Sequence, residues 1–155
     1  MKVILLCIGK TNESYLKQGI EIFQDRLQHY TSFELAVLKD VKNPGNPVRL
    51  MEMEGQSFLQ FLHEDDFLVL LDENGKSFTS TGLAQYIEKH QNGSTRRLVF
   101  AIGGAFGWSE PLRKRANFTM SLSAMTFSHQ MIRLFMVEQI YRAYTIIKGE
   151  KYHNP

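Results

Sequence analysis

The chain of 155 residues has one cysteine, four prolines and one tryptophan. A lone Cys7 excludes an internal disulfide, and its place inside Val3-Ile4-Leu5-Leu6-Cys7-Ile8 makes it a small core residue rather than a nucleophile or ligand. Long apolar runs are missing too: the longest, 3–8 and 67–71, fall far short of the ~20 residues that cross a bilayer, so no membrane span is expected. No small-residue cleavage site follows Lys2, so a secretory signal is not expected, and a reduced thiol suits a cytoplasmic setting. Neither sign of charge dominates, with 18 Lys+Arg against 16 Asp+Glu. Hydrophobic residues at 43% and charged residues at 22% exclude a disordered chain, and the length suits one domain over 1–155.

Nucleotide and metal signatures are also lacking. Gly9-Lys10-Thr11 and Gly75-Lys76-Ser77 look like the end of a P-loop, yet the earlier glycine that loop requires is replaced by Ile4 and Leu70. No Gly-x-Gly-x-x-Gly turn occurs, which removes a dinucleotide clamp. His29, His63, His90, His129 and His153 show no ligand spacing with one another or with Cys7, so no metal is expected. His29, His63 and His90 fall near helix ends, where solvation or capping explains them.

What is present is an alternation. Apolar runs at 2–8, 33–38, 67–71, 98–102 and 118–122 read as strands. Leu16, Ile20, Phe23, Leu27 and Tyr30 share one face of a first helix, and further helices are expected at 48–62, 81–91, 109–117 and 128–148. Five apolar strands separated by helices predict an α/β fold, a mainly parallel sheet flanked by helices. Ligands in such sheets sit at the C-terminal ends of strands, which directs attention to 72–77, 103–108 and 123–129.

Gly103-Gly104-Ala105-Phe106-Gly107 has three glycines in five residues, which serves a tight turn or a ligand's approach to the backbone equally well. With no Lys or Arg and with Phe106 and Trp108 beside it, the loop suits an adenosine-like ligand better than a triphosphate. In Ser121-Leu122-Ser123-Ala124-Met125-Thr126-Phe127-Ser128-His129, small residues alternate with apolar ones. Ser128 is placed to cap the last helix, with His129 in its first turn, where the dipole favours a neutral imidazole. That ring either accepts a proton or only orders the turn. The last helix is apolar nearly all round, so it is a central core helix or meets a second subunit. Its Arg142 has Glu138 four residues earlier as an available partner. Residues 1–110 hold 11 basic and 14 acidic side chains, and 111–155 hold 7 and 2, so the basic character is C-terminal. Interleaved with Tyr141, Tyr144 and Tyr152, it suits either a solvated face or a polyanion.

Leu71-Asp72-Glu73-Asn74-Gly75-Lys76, Ile102 with the glycine loop, and the stretch from Ser121 through His129, Arg133, Glu138-Gln139 and Tyr141-Arg142-Ala143 to Tyr152-His153 together resemble the RlmH family of SPOUT methyltransferases, over essentially the full length. The resemblance implies a C-terminal trefoil knot, a homodimer, and S-adenosylmethionine-dependent methylation of ring nitrogen N3 of a pseudouridine in large-subunit ribosomal RNA; no metal is expected, and a net charge of only +2 with no separate RNA-binding domain makes the assembled ribosome the expected substrate rather than naked RNA. It implies cofactor contacts from Leu71, Gly103, Leu122, Ser123, Ala124, Met125, Thr126 and Phe127, and a target-base side formed by His129, Arg142, Tyr152 and His153. Ser128 stands where the family usually has proline, and the tail lacks its proline before Tyr152 and its basic residue after His153. The competing expectation is a non-catalytic ribosome-assembly factor using the same basic face.

Overall fold

A computed structural model describes residues 1–155 and strings together β1 (Lys2–Ile8), α1 (Ser14–Leu27), β2 (Ser32–Leu38), α2 (Pro47–Phe61), β3 (Phe67–Ser77), α3 (Ser80–Asn92), β4 (Arg97–Ile102), α4 (Glu110–Arg115), β5 (Phe118–Ser121) and α5 (Met131–Ile147). All five strands are parallel, in the order β2-β1-β4-β3-β5. The expected α/β class and parallel sheet are therefore present.

Alternation along the strands divides the core. Val3, Leu5 and Cys7 face one layer with Ile20 of α1, Ile87 of α3 and Met136, Ile140 and Tyr144 of α5, while Ile4, Leu6 and Ile8 face the other with Phe58 of α2 and Leu112 of α4. Crossovers through α1 and α3 step one way along the sheet and those through α2 and α4 step the other way. Reversing direction and face together keeps one hand throughout, as parallel crossovers require. Burial pushes the Cys7 thiol up to about 12, and Arg133 only partly opposes this, so the residue is an inert core group as expected.

α5 lies between α1 and α3. Its buried face, Met136, Val137, Ile140, Ala143 and Tyr144, explains the breadth of its apolar pattern, each larger side chain contributing about 1.5–3 kcal/mol. Its start differs from expectation, because the regular helix begins at Met131 rather than Ser128. Ser128 nevertheless caps the turn leading in, accepting the Met131 N–H at its hydroxyl (3.0 Å) and the Ile132 N–H at its carbonyl (3.1 Å). His129 thus sits in that lead-in turn. At the far end Gly149 adopts φ +68°, and the N–H groups of Gly149 and Glu150 donate to the carbonyls of Ile146 (3.0 Å) and Thr145 (2.9 Å), the left-handed cap expected of a glycine there.

The C-terminal ends of two strands also move. β5 ends at Ser121, one residue before Leu122, and β3 continues to Ser77 instead of ending at Leu71. The extension is irregular: Met120 pairs with both Leu71 and Lys76, so 72–75 form an excursion between the two pairings. Gly75 closes it against the Met120 backbone, where a Cβ would come within 2.6 Å of the Met120 carbonyl carbon.

Candidate active site

A cavity of about 540 Å³ opens where β3, β4 and β5 end. Leu71, Ile102, Leu122 and Ile132 supply apolar walls, and Gly103, Gly104 and Gly107 bring backbone to the opening. Trp108 is buried instead of being free to stack on a ligand. It donates from Nε1 to the Leu71 carbonyl (2.9 Å), meets Phe58 edge-on at 5.2 Å, and lies so close to Gly103 that a Cβ there would fall 3.3 Å from the indole. Phe106 is the exposed aromatic of that loop.

The rim is built from the β3 excursion. Asp72 accepts the Asn74 N–H (2.9 Å) and pairs with Arg113 of α4 (3.0 Å). Burial works against its charge, but these partners prevail and hold the carboxyl below its usual range. Thr126 donates to Glu73 (2.7 Å), tying the loop after β5 to the same excursion. Within that loop the Ser121 hydroxyl donates to the Ser123 carbonyl (2.8 Å), and the Ser123 hydroxyl accepts the Met125 N–H (3.0 Å). Leu71, Gly103, Leu122, Ser123, Met125, Thr126, Phe127 and His129 all line the cavity, whereas Ala124 does not. The pairing of Asp72 with Arg113 escaped the sequence reading, because Arg113 lies in the Arg-Lys-Arg run of α4, which reads as solvated charge.

His129 titrates below its ordinary value. Burial is the main cause and the Arg133 guanidinium the second, with Asp40 pulling the other way. The neutral imidazole expected from the sequence is therefore supported by burial and a neighbouring cation. Arg133 itself is 1% exposed and stitches the site to β1, donating to the carbonyls of Ile8 (2.7 Å), Gly9 (2.8 Å) and His129 (3.1 Å).

Arg142, Tyr152 and His153 form a separate cluster. Glu138 receives Arg142 (2.7 Å) and the Tyr152 hydroxyl (3.0 Å), the guanidinium carbon lies 4.7 Å from the Tyr152 ring centroid, and Arg142 Nη1 lies 3.4 Å from His153 Nδ1. None of the three lines the cavity. Thirteen residues of largely helical chain separate Arg142 from His129, roughly 20 Å at 1.5 Å per residue. One chain thus divides the expected target-base group into two places.

Glu54 is a further residue the sequence gave no reason to select. It is 92% buried by its 8% exposure, its Oε2 has no hydrogen-bond partner, and it occupies the space a Cβ on Gly104 would need. Burial, then the Asp40 charge, raises its pKa. His63, Asp65 and Asp66 form the one grouping close enough for a metal, but it lies at the opposite end of β3, and Arg97 fills it through contacts with Asp66 (3.0 Å) and the His63 ring (2.7 Å).

Comparison with known proteins gives the same picture over the full length. The family model described as "Predicted SPOUT methyltransferase" matches residues 1–153. The protein named "Ribosomal RNA large subunit methyltransferase H" from Christiangramia forsetii is 49% identical over 156 residues, covering 99% of each chain. Proteins of the same name from Parabacteroides distasonis (48%, 99% of each chain) and Geotalea daltonii (45%, 99% of this chain and 100% of that one) are similar throughout.

Proposed function

The chain belongs to the SPOUT methyltransferases, enzymes that use S-adenosylmethionine as methyl donor, and on that footing we propose that it methylates ring nitrogen N3 of a pseudouridine in large-subunit ribosomal RNA, working as a cytoplasmic homodimer of one 155-residue domain. The observation that carries this reading is the convergence of residues 71, 103, 122, 123 and 125–127 on one cavity whose wall holds a neutral histidine.

The cavity suits the cofactor on three counts. Its volume lies in the usual range for small ligands. Apolar strand ends and exposed glycine backbone suit an adenosine ring, and a rim with Asp72, Glu73 and Arg113 offers both signs of charge to an amino-acid zwitterion. When bound, the cofactor supplies a methyl group already activated on a sulfonium, so the protein needs to position the nucleophile and manage one proton. Neutral His129 accepts the N3 proton on a ring nitrogen, or His153 of a second copy does so. The Arg142 guanidinium, held by Glu138, stabilises the negative imidate left behind.

The distance between the two groups supports the dimer reading, because the Arg142, Tyr152 and His153 cluster would serve the cavity only if a second copy brought it there. Phe127 and Phe135 pack with tilted rings at 5.0 Å and are 38% and 41% exposed, and Met125 is 75% exposed, leaving an apolar surface beside the cavity for that copy to cover. Two measurements test the reading. Calorimetry with S-adenosylmethionine should give saturable binding, and no binding at millimolar ligand leaves a non-catalytic assembly factor. Methyl incorporation should favour intact ribosomal particles over purified RNA, and equal rates would contradict recognition of the assembled ribosome.

A further inference from the structure

The C-terminal ends of β1 and β2 open into a second cavity of about 760 Å³ that the chemistry above does not use. Lys10, Thr11 and Asn12 enter it from the loop after β1, Lys39 and Asp40 from the end of β2, and Lys17 from α1. Because the sheet is wholly parallel, this cavity opens at the same end as the first. Hydrogen bonds tie the loop that lines it to the turn that carries His129. Gln130, next to His129, donates from Nε2 to the Lys10 carbonyl (3.0 Å) and accepts the Asn12 N–H at Oε1 (2.9 Å), while Arg133 reaches Thr11 Oγ1 (3.2 Å).

Its charge runs against the surrounding sequence. Residues 1–110 carry an excess of acidic groups, yet three lysines converge here against Glu21 and Asp40. None of the three makes an ion pair; the six salt bridges engage Lys2, Arg96, Arg97, Arg113, Lys114 and Arg142. No aromatic side chain lines the cavity, so it offers charge without a stacking surface. Three ammonium groups free of ion pairs, in excess over the two carboxylates and next to the turn that carries His129, suit the phosphodiester backbone of a polynucleotide, which is bound through charge and carries no sequence information.

We propose that the cavity of Lys10, Lys17 and Lys39 holds backbone phosphates of the RNA strand flanking the nucleotide presented at His129. This inference rests on the function proposed above, and it gives the Gly9-Lys10-Thr11 motif a phosphate-binding role that needs no P-loop.

The test compares the wild type with the triple variant Lys10→Ala, Lys17→Ala, Lys39→Ala and its charge-keeping counterpart Lys10→Arg, Lys17→Arg, Lys39→Arg. Ribosome binding is read by co-sedimentation across a salt series, and methyl transfer is read separately. The alanine variant should bind ribosomal particles at least on the order of tenfold more weakly, and its log affinity should fall less steeply with log salt, by about 2 for three single-strand contacts at roughly 0.7 each. Saturating turnover and S-adenosylmethionine affinity should stay within about twofold of wild type, and the arginine variant should regain most of the binding. Unchanged ribosome affinity and salt slope in the alanine variant would overturn the proposal. So would an effect confined to inorganic phosphate binding, which would make this a small-anion site. Should the wild type bind ribosomes without methylating them, the proposed activity fails while co-sedimentation still decides whether the lysines hold RNA.

Discussion

His129 and Glu54 both favour their neutral forms, and the two consequences differ. A base must be unprotonated to work, and the depressed pKa of His129 keeps it so below the ordinary histidine value of about 6.5. If it takes the N3 proton, the acid limb of the pH–rate profile should lie below that value, and His129→Ala should lower turnover on the order of 10²-fold. His153→Ala should do so instead if the second copy's histidine is the acceptor. Glu54 concerns stability. Its raised pKa means that the folded chain holds the proton more tightly than the unfolded one, so the stabilisation is complete below the ordinary carboxyl value of about 4.3 and disappears as pH rises through the folded pKa. Glu54→Gln should therefore gain melting temperature over wild type from acid to neutral pH, as scanning calorimetry at several pH values will show. The sequence offered a neutral His129 through the helix dipole but not the burial that chiefly causes it, and it gave no sign of Glu54, whose shift comes from burial and then from Asp40 beyond the end of β2.

Among the elements, those with an internal apolar period were legible and those shaped by backbone contacts were not. β1 reads as a strand from Val3 to Ile8 because both its faces are covered, and α1 from the spacing of Leu16, Ile20 and Leu27. Nothing apolar announces the β3 extension: Asp72, Glu73 and Asn74 look like a loop, and their place is fixed by the close approach of Gly75 to Met120. Gly75→Ala should push β3 and β5 apart at that point and weaken S-adenosylmethionine binding measured by calorimetry by about tenfold or more, since Asp72 and Glu73 move with it. The sequence singles out the tail through Tyr152 and His153, but it gave no sign that the tail lies at the other end of α5 from the cavity. It is docked through Glu150 to Tyr30 (2.6 Å) and Tyr152 to Glu138. These bonds are solvent-exposed or partly so, and deleting 150–155 should leave the fold and cofactor affinity nearly intact while cutting methyl transfer by on the order of 10²-fold. A truncated protein with the wild-type rate on ribosomes would move the assignment to His129 and Arg142.

For the molecule as a whole, the separation between cavity and tail predicts that activity follows the dimer population. Sedimentation should find a dimer at micromolar concentration, and dilution that yields monomer should abolish methyl transfer; a fully active monomer would refute the shared site. The contact between the first strand and the last helix also bears on when the protein comes into being. The carbonyls of Ile8 and Gly9 wait for Arg133, which lies 125 and 124 residues further on, and Tyr30 waits 120 residues for Glu150. At about 5–20 residues per second, the first of these delays lasts roughly 6–25 s. During that interval the nascent chain has strands without the helix that covers them, so chains halted before residue 131 should stay open to protease.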